Sequence, residues 1–293
     1  MSYIKPAEVI NTMIDTGTAK ANASTLQMVI RGFLGGAILA FATTLAFTAA
    51  SQTSLGLAGA LVFPAGFVII VLLGLELVTG SFALSPLSVF ARKTTAARML
   101  SNYFWVIVGH LIGCAAYALL YGLVITKMFT DMSNPLIQMI IQLSETKTLG
   151  YKHMGSEGMM LVVIKAILCN WMVTLGVVMA MTSKSTGGKI IAMWLPIVIF
   201  FAQGFEHAVV NMFVIPAGML LGADVSFADW WVWNQIPVLI GNFIGGAVFT
   251  GMLLYLSHHS PTSTSTSQAL NAKATIKSDP AAVGAVTPKG SGL

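Results

Sequence analysis

The chain has 293 residues, 56% of them hydrophobic and only 9% charged, with a mean hydropathy of +0.83. Soluble domains carry about 25% charged residues, so a soluble globular protein is excluded and lipid is the expected solvent. The excess of 15 Lys and Arg over 10 Asp and Glu does not point to nucleic acid, because most of the bases stand in short loops and tails beside apolar runs.

Residues 1–27 are polar and lack the apolar stretch and cleavage site of a signal peptide. Val9, Ile10, Met13 and Ile14 share one helical face there, which fits a short interfacial helix on the cytoplasmic side and fits a soluble helix equally. Six apolar runs follow, at about 29–50, 57–90, 104–126, 159–182, 190–221 and 236–256. Each supplies the roughly 20 residues that cross a bilayer core, so 28–257 is expected to be an all-α membrane domain of six helices. Runs 2 and 5 are longer than a straight crossing needs, and each is expected to break. TGSFALSP (79–86), with Gly80 and Pro86, marks the break in run 2, and NMFVIPAG (211–218), with Pro216 and Gly218, marks it in run 5. Backbone that is not helical at membrane depth survives only where protein buries it or water wets it. Two breaks therefore imply a cavity, into which half-helix N-termini would draw an anion.

Beyond the sixth run, residues 258–293 are rich in Ser, Thr, Ala and Pro with no apolar period, as in a disordered tail. Cys114 and Cys169 both lie in apolar runs and read as small hydrophobes. Lys5, Lys20, Arg92, Lys93, Arg98, Lys184, Lys189, Lys273, Lys277 and Lys289 all fall on one side of the six spans. The other side has only Lys127, Lys147 and Lys152, balanced by Asp131, Glu145 and Glu157. The positive-inside rule then puts both termini in the cytoplasm.

An internal repeat underlies the six runs. Run 2 aligns on run 5 at an offset of 130, superposing Gly74 on Gly204, Glu76 on Glu206 and Pro86 on Pro216. Run 3 aligns on run 6 at an offset of 132, matching Asn102 with Asn234, Val106 with Val238, Gly109 with Gly241, Ile112 with Ile244 and Gly113 with Gly245. Run 1 on run 4 is weaker. Three helices repeated once must sit upside down relative to each other, so a 3+3 inverted repeat, aquaporin-like in layout, is expected.

A charge at a helix centre costs about 2.5–3.5 kcal/mol on insertion scales, which singles out Arg31, Glu76, His110, Lys165, Glu206 and His207. Glu76 and Glu206 are repeat partners and read as structural, bonded to backbone amides or polar groups at the breaks. His207 departs from the symmetry, because its counterpart is Leu77, and asymmetry suggests a task. A core histidine satisfied by a carbonyl or by Asn211, four residues on and so on the same face, fits as well. His110 aligns with Asn242 and reads as an interhelical hydrogen-bonding residue. Lys165 and Arg31 are counterparts at an offset of 134; a cation near each mouth of a passage would concentrate anions, although a base at a helix end also simply snorkels.

The segments LGLELVTGSFAL (73–84), VIKAILCNWMVTLGVVMA (163–180), GFEHAVVNMFVIPAG (204–218) and IPVLIGNFIGG (236–246) carry a resemblance to the formate/nitrite transporter family over about residues 6–257. The resemblance implies a homopentamer of six-helix protomers, each with its own pore. It implies passage of small monovalent anions of weak acids, and makes His207 the central pore histidine with Thr79 as its hydrogen-bonding partner. Asn170, Lys165, Glu206 and Asn211 belong to the polar set of that pore, and Phe63, Phe67, Leu77, Val78 and Phe200 fall at its constrictions. The chain departs from the commoner family pattern at Val78, where an aromatic is usual, and at Phe67, where Leu is. These changes put nitrite first, then formate and bicarbonate.

The rival reading is an aquaporin-like channel for neutral solutes, but paired Asn-Pro-Ala signatures are missing and Asn134-Pro135 lies in an external loop. An enzyme is not expected. Glu206 and His207 are adjacent and point to different helix faces, and no His or Asp recurs at the four-residue spacing of a helical metal site. No metal, cofactor or nucleotide is expected; the expected partners are small anions, membrane lipids and further copies of the chain.

Overall fold

The computed structural model describes residues 3–258, and nearly all of them are helical. The tail expected from 258 onward lies outside the described residues apart from His258, which closes the last helix. The helices are α1 (Pro6–Ala21), α2 (Thr25–Thr53), α3 (Gly56–Val62), α4 (Pro64–Leu72), α5 (Val78–Phe90), α6 (Ala96–Ile125), α7 (Pro135–His153), α8 (Ser156–Met181), α9 (Thr186–Ala202) and α10 (Ala208–Leu221). The last, α11 (Phe227–His258), is continuous but widens to π geometry over Trp231–Gln235 and Gly245–Met252. By length and composition α2, α6, α8 and α11 are each able to cross a membrane, while the apolar stretches Gly56–Leu72, Val78–Phe90, Thr186–Ala202 and Leu221-terminated α10 are shorter.

Local sequence sets the helix ends. Ser24 caps α2 in a capping box with Gln27, Thr95 caps α6, and Ser185 caps α9, each satisfying an amide that has no partner in its own helix. The two interruptions are set by glycine. Gly74 and Gly204 take φ of +63° and +62°, which a side chain would resist. Leu75 N–H then bonds Ile70 O at 3.0 Å and Phe205 N–H bonds Phe200 O at 3.3 Å, the pattern that ends a helix on a left-handed glycine.

The chain therefore leaves the helix at 73–77 and 203–207, ahead of the segments to which the proline signal assigned the breaks. Pro86 and Pro216 lie inside α5 and α10, where each removes one backbone donor without ending its helix. A second correction concerns the expected external loop after run 3. It holds α7, a 19-residue helix capped by Asn134 with Pro135 in its first turn.

Packing repeats between residues 3–125 and 135–258. Helix α2 lies along α6, and α8 along α11. A Cβ on Gly32 would stand 2.7 Å from Val106 O, and one on Gly241 2.7 Å from Val163 O, so bare backbone is what lets these pairs close up. Helix α1 packs on α5 and α7 on α10, which makes α7 the second-half counterpart of α1. The α1 face formed by Val9, Ile10, Met13 and Ile14 is buried against Ala83, Leu84, Leu87 and Val178. Ser88 Oγ of α5 donates to Ile14 O of α1 at 2.6 Å, and Ser144 Oγ of α7 donates to Ile215 O of α10 at 3.2 Å.

Candidate functional site

The polar groups of the interior gather where the two interrupted stretches resume. Val78 N–H, at the start of α5, donates to His110 Nε2 at 3.1 Å, and His110 Nδ1 in turn meets Gly32 O at 2.7 Å. The mirror arrangement uses Asn242: Ala208 N–H, at the start of α10, donates to its Oδ1 at 2.9 Å, while its Nδ2 donates to Ala166 O and Glu206 O at 2.8 and 2.9 Å. His110 and Asn242 are thus interhelical hydrogen-bonding residues, each holding the first amide of a half-helix, which would otherwise be left without a partner.

His207 caps α10. Its Nδ1 accepts from Val210 N–H at 3.3 Å, and its Nε2 lies 3.0 Å from Thr79 Oγ1. A ring nitrogen that accepts an amide N–H carries no proton, so in the neutral ring the proton sits on Nε2 and is donated to the threonine oxygen. That leaves the Thr79 hydroxyl hydrogen free to point elsewhere. Thr79 is fully buried and His207 is 2% exposed. Asn170 Nδ2 holds the backbone of this pair, donating to Thr79 O at 3.0 Å and to Asn242 O at 2.6 Å, while its Oδ1 has no protein partner.

The two glutamates bond polar groups of neighbouring elements, and each has a lysine among them. Lys20 Nζ of α1 meets Glu76 Oε2 at 2.6 Å, and Lys147 Nζ of α7 meets Glu206 Oε2 at 2.8 Å. Glu206 also accepts from Tyr151 OH and Asn211 Nδ2, both at 2.8 Å. The Asn211 side chain therefore bonds the carboxylate and Asn234 rather than the His207 ring. Asn102 and Asn234, equivalent in the repeat, donate to the carbonyls of Lys20 and Lys147 at 3.0 and 2.8 Å. The sequence placed the two lysines only in the loop-charge balance and not beside the glutamates, because each belongs to a helix outside the aligned runs; the recurrence of Asn102 and Asn234 was the available signal.

A cavity of about 690 Å³ opens on the side of α1 and is lined by Lys20, Arg31, Lys184 and Lys189, with Phe67 and Leu77 among its apolar residues. Arg31 thus lines this cavity. Phe63 stacks on Phe201 at 4.0 Å and meets Phe200 edge-on at 5.7 Å; Phe200 in turn lies 5.6 Å from the His207 ring. Phe63, Phe67, Val78 and Phe200 are all buried. Lys165 stands apart from this cluster, half-buried on α8, with Nζ 5.9 Å from the centre of the Tyr151 ring.

A family model described as formate/nitrite transporter matches residues 7–256. The chain is 34% identical to the uncharacterized transporter YrhG of Bacillus subtilis, over 88% of this chain and 95% of that one. It is 31% identical to the formate channel BtFdhC of Bacillus thuringiensis, over 87% and 96%, and 30% identical to the formate channel FocA of Haemophilus influenzae, over 85% and 93%. Its fold is similar to that of a solved FNT family ion channel, with a TM-score of 0.69, 22% identity and coverage of 85% of this chain and 98% of the other. A solved pentameric formate channel with formate bound gives a TM-score of 0.64 at 24% identity, covering 80% and 97%. The chain is a multi-pass membrane protein of transporter type and belongs to the formate/nitrite transporter family.

Proposed function

We propose that each protomer conducts small monovalent anions of weak acids through a duct between the two interrupted stretches, with formate as the first substrate and nitrite as the second. The observation that carries this reading is the buried contact of Thr79 Oγ1 with His207 Nε2, 3.0 Å long, between the starts of two half-helices. The formate channels among its relatives move formate ahead of nitrite. Under this reading α3–α5 and α9–α10 make two interrupted crossings, giving six in a 3+3 inverted repeat. The termini lie on the cytoplasmic side with the basic loops. Five copies assemble as in the pentameric relative, their exposed Leu, Ile and Phe side chains meeting lipid or neighbouring copies.

Arg31 with its neighbours at one mouth, and Lys165 at the other, raise the local anion concentration. Entering the aromatic slit strips water from the anion, which disfavours its charged form and raises its proton affinity. The Thr79 hydroxyl, freed for donation by the His207 N–H, then replaces one lost water. This makes His207 an orienting donor: a relay role would need Nδ1 to give up the Val210 amide before the ring is charged.

Reconstituted liposomes test the reading by formate, nitrite and glycerol flux across pH. Formate and nitrite are expected to pass and glycerol to be excluded. His207→Phe is expected to lower formate flux by about tenfold or more, the worth of one lost hydrogen bond of about 1.4 kcal/mol, with the shape of the pH profile kept. A flattened profile at undiminished flux would favour the relay, and glycerol passage at the native rate of formate would restore the neutral-solute channel.

A further inference from the structure

We infer that the cavity beside α1 is also a regulatory site, which takes an organic diphosphate or triphosphate too large to cross and so stops conduction from that side. This rests on the anion-conduction reading above.

Four bases line the cavity of about 690 Å³, Lys20, Arg31, Lys184 and Lys189, and Glu76 is the one carboxylate among its lining residues. Lys20 Nζ takes that carboxylate at 2.6 Å. Arg31, Lys184 and Lys189 have no carboxylate partner among the described residues. They converge from α2, from the turn between α8 and α9, and from the start of α9. By contrast Lys127, Lys147 and Lys152, assigned to the opposite side of the spans, are each paired with an acid. The hollow is also a standing part of the fold, because α1 is fastened at both ends: Ile4 N–H, ahead of the helix, donates to Thr182 O at 2.8 Å, and Lys20 in its last turn holds Glu76.

A small monovalent anion needs neither this volume nor three unpaired cations. Like charges gathered in one hollow repel each other, and a ligand that carries two or more negative charges relieves them together. Phosphate oxygens suit both arginine and lysine. Ile4, Val71, Leu72, Leu75 and Met181 add apolar wall, against which an organic ring sheds water favourably while a bare inorganic phosphate would leave that surface wet. Under the conduction reading the way onward is the aromatic slit, where Phe63 lies 4.0 Å from Phe201 and 5.7 Å from Phe200 between ring centres. A body of nucleotide size stops there. Its charges hold it over the entrance that the substrate must use.

Two measurements test this, both without divalent cations. Equilibrium dialysis of the purified oligomer against adenosine diphosphate, pyrophosphate and adenosine reads binding whether or not formate is conducted. Formate flux in proteoliposomes with the oligomers inserted in one orientation, the same compounds being supplied to one face at a time, reads block. Adenosine diphosphate is expected to bind, pyrophosphate about tenfold more weakly for want of the apolar body, and adenosine not at all at equal concentration. Added salt weakens binding, and block occurs from one face only. Lys184→Gln and Lys189→Gln, used only where the oligomer elutes as the native one does, should each weaken diphosphate binding about tenfold and raise the half-blocking concentration in step, relative to the unblocked flux of the same variant. A native oligomer that conducts formate but binds neither phosphate overturns the regulatory site and leaves conduction standing. Binding that both variants keep, or equal block from both faces, overturns the site as well. Pyrophosphate binding as tight as that of the diphosphate overturns the organic class of the ligand. A native protein that passes no formate overturns both readings.

Discussion

The two buried carboxylates occupy equivalent places in the repeat but sit in different surroundings. Glu206 is held by Lys147, Tyr151 and Asn211, with Asn234 at 3.5 Å. Glu76 has Lys20 and, at 3.4 Å, Ser81. The difference starts from one position: Ser81 stands where the second half has Asn211. The longer asparagine reaches Asn234 Oδ1 at 2.8 Å, whereas on the first-half side Asn102 Oδ1 is left without a protein partner. Helix α7 is further tied to α11 by Lys152 and Asp229 at 2.7 Å. One frame thus carries a closely bonded half and a slacker one, and the slacker carboxylate borders the cavity.

The largest expected effect follows from stripping each carboxylate. Glu206→Leu strands Lys147, Tyr151 and Asn211 in a buried site, and breaking a buried pair in this way costs about 3–5 kcal/mol. Glu76→Leu strands fewer donors, and Lys20 faces the cavity, so about 1–3 kcal/mol is expected. Thermal melting of the purified oligomer reads both, and equal losses would break the comparison. Transplanting the first-half residue by Asn211→Ser should cost about 1–2 kcal/mol in the same assay, because it leaves Asn234 with the orphaned acceptor that Asn102 has now.

The mouths sharpen the contrast through rates. Arg31→Ala and Lys165→Ala should each slow formate flux several-fold at low ionic strength, the deficit shrinking as salt screens the field. A deficit independent of salt would mean that these side chains act by packing.

The smallest effect belongs to the segment joining the halves. Lys127 lies 2.7 Å from Asp131 and holds its carboxyl well below the usual carboxylate range, first through their hydrogen bond. A depressed carboxylate stabilises the fold above its unfolded pKa, and the contribution fades as pH falls through the folded value. The pair is exposed, so Asp131→Asn should leave melting at neutral pH unchanged.

What the sequence revealed depended on which signals were rare. Two glutamates at equivalent depth are hard to match by chance, so Glu76 and Glu206 set the offset between the two halves, and the neighbouring alignment of runs 3 and 6 singled out His110 and Asn242, each of which bonds the first amide of a helix. The helix interruptions were misplaced because proline is the louder breaker in a sequence, while the actual stops rest on left-handed Gly74 and Gly204, whose meaning depends on backbone conformation. Helix α7 escaped because only one face of it is buried, by Ile137, Ile140, Ser144, Thr148 and Tyr151, a pattern too polar to read as a crossing. With α7 unseen, Lys147 had no reason to be set beside Lys20, and the ion pairs stayed hidden. Proximity of Thr79 to His207, 128 positions apart, came from family resemblance, since spacing carries no information at that distance.

The most direct test of the central claim is formate flux through Thr79→Val, a change that keeps side-chain shape and removes only the hydroxyl facing His207. A fall of about tenfold or more with the oligomer intact is predicted, matching one lost hydrogen bond. Native flux in that variant would contradict the claim that the anion is handed through this contact.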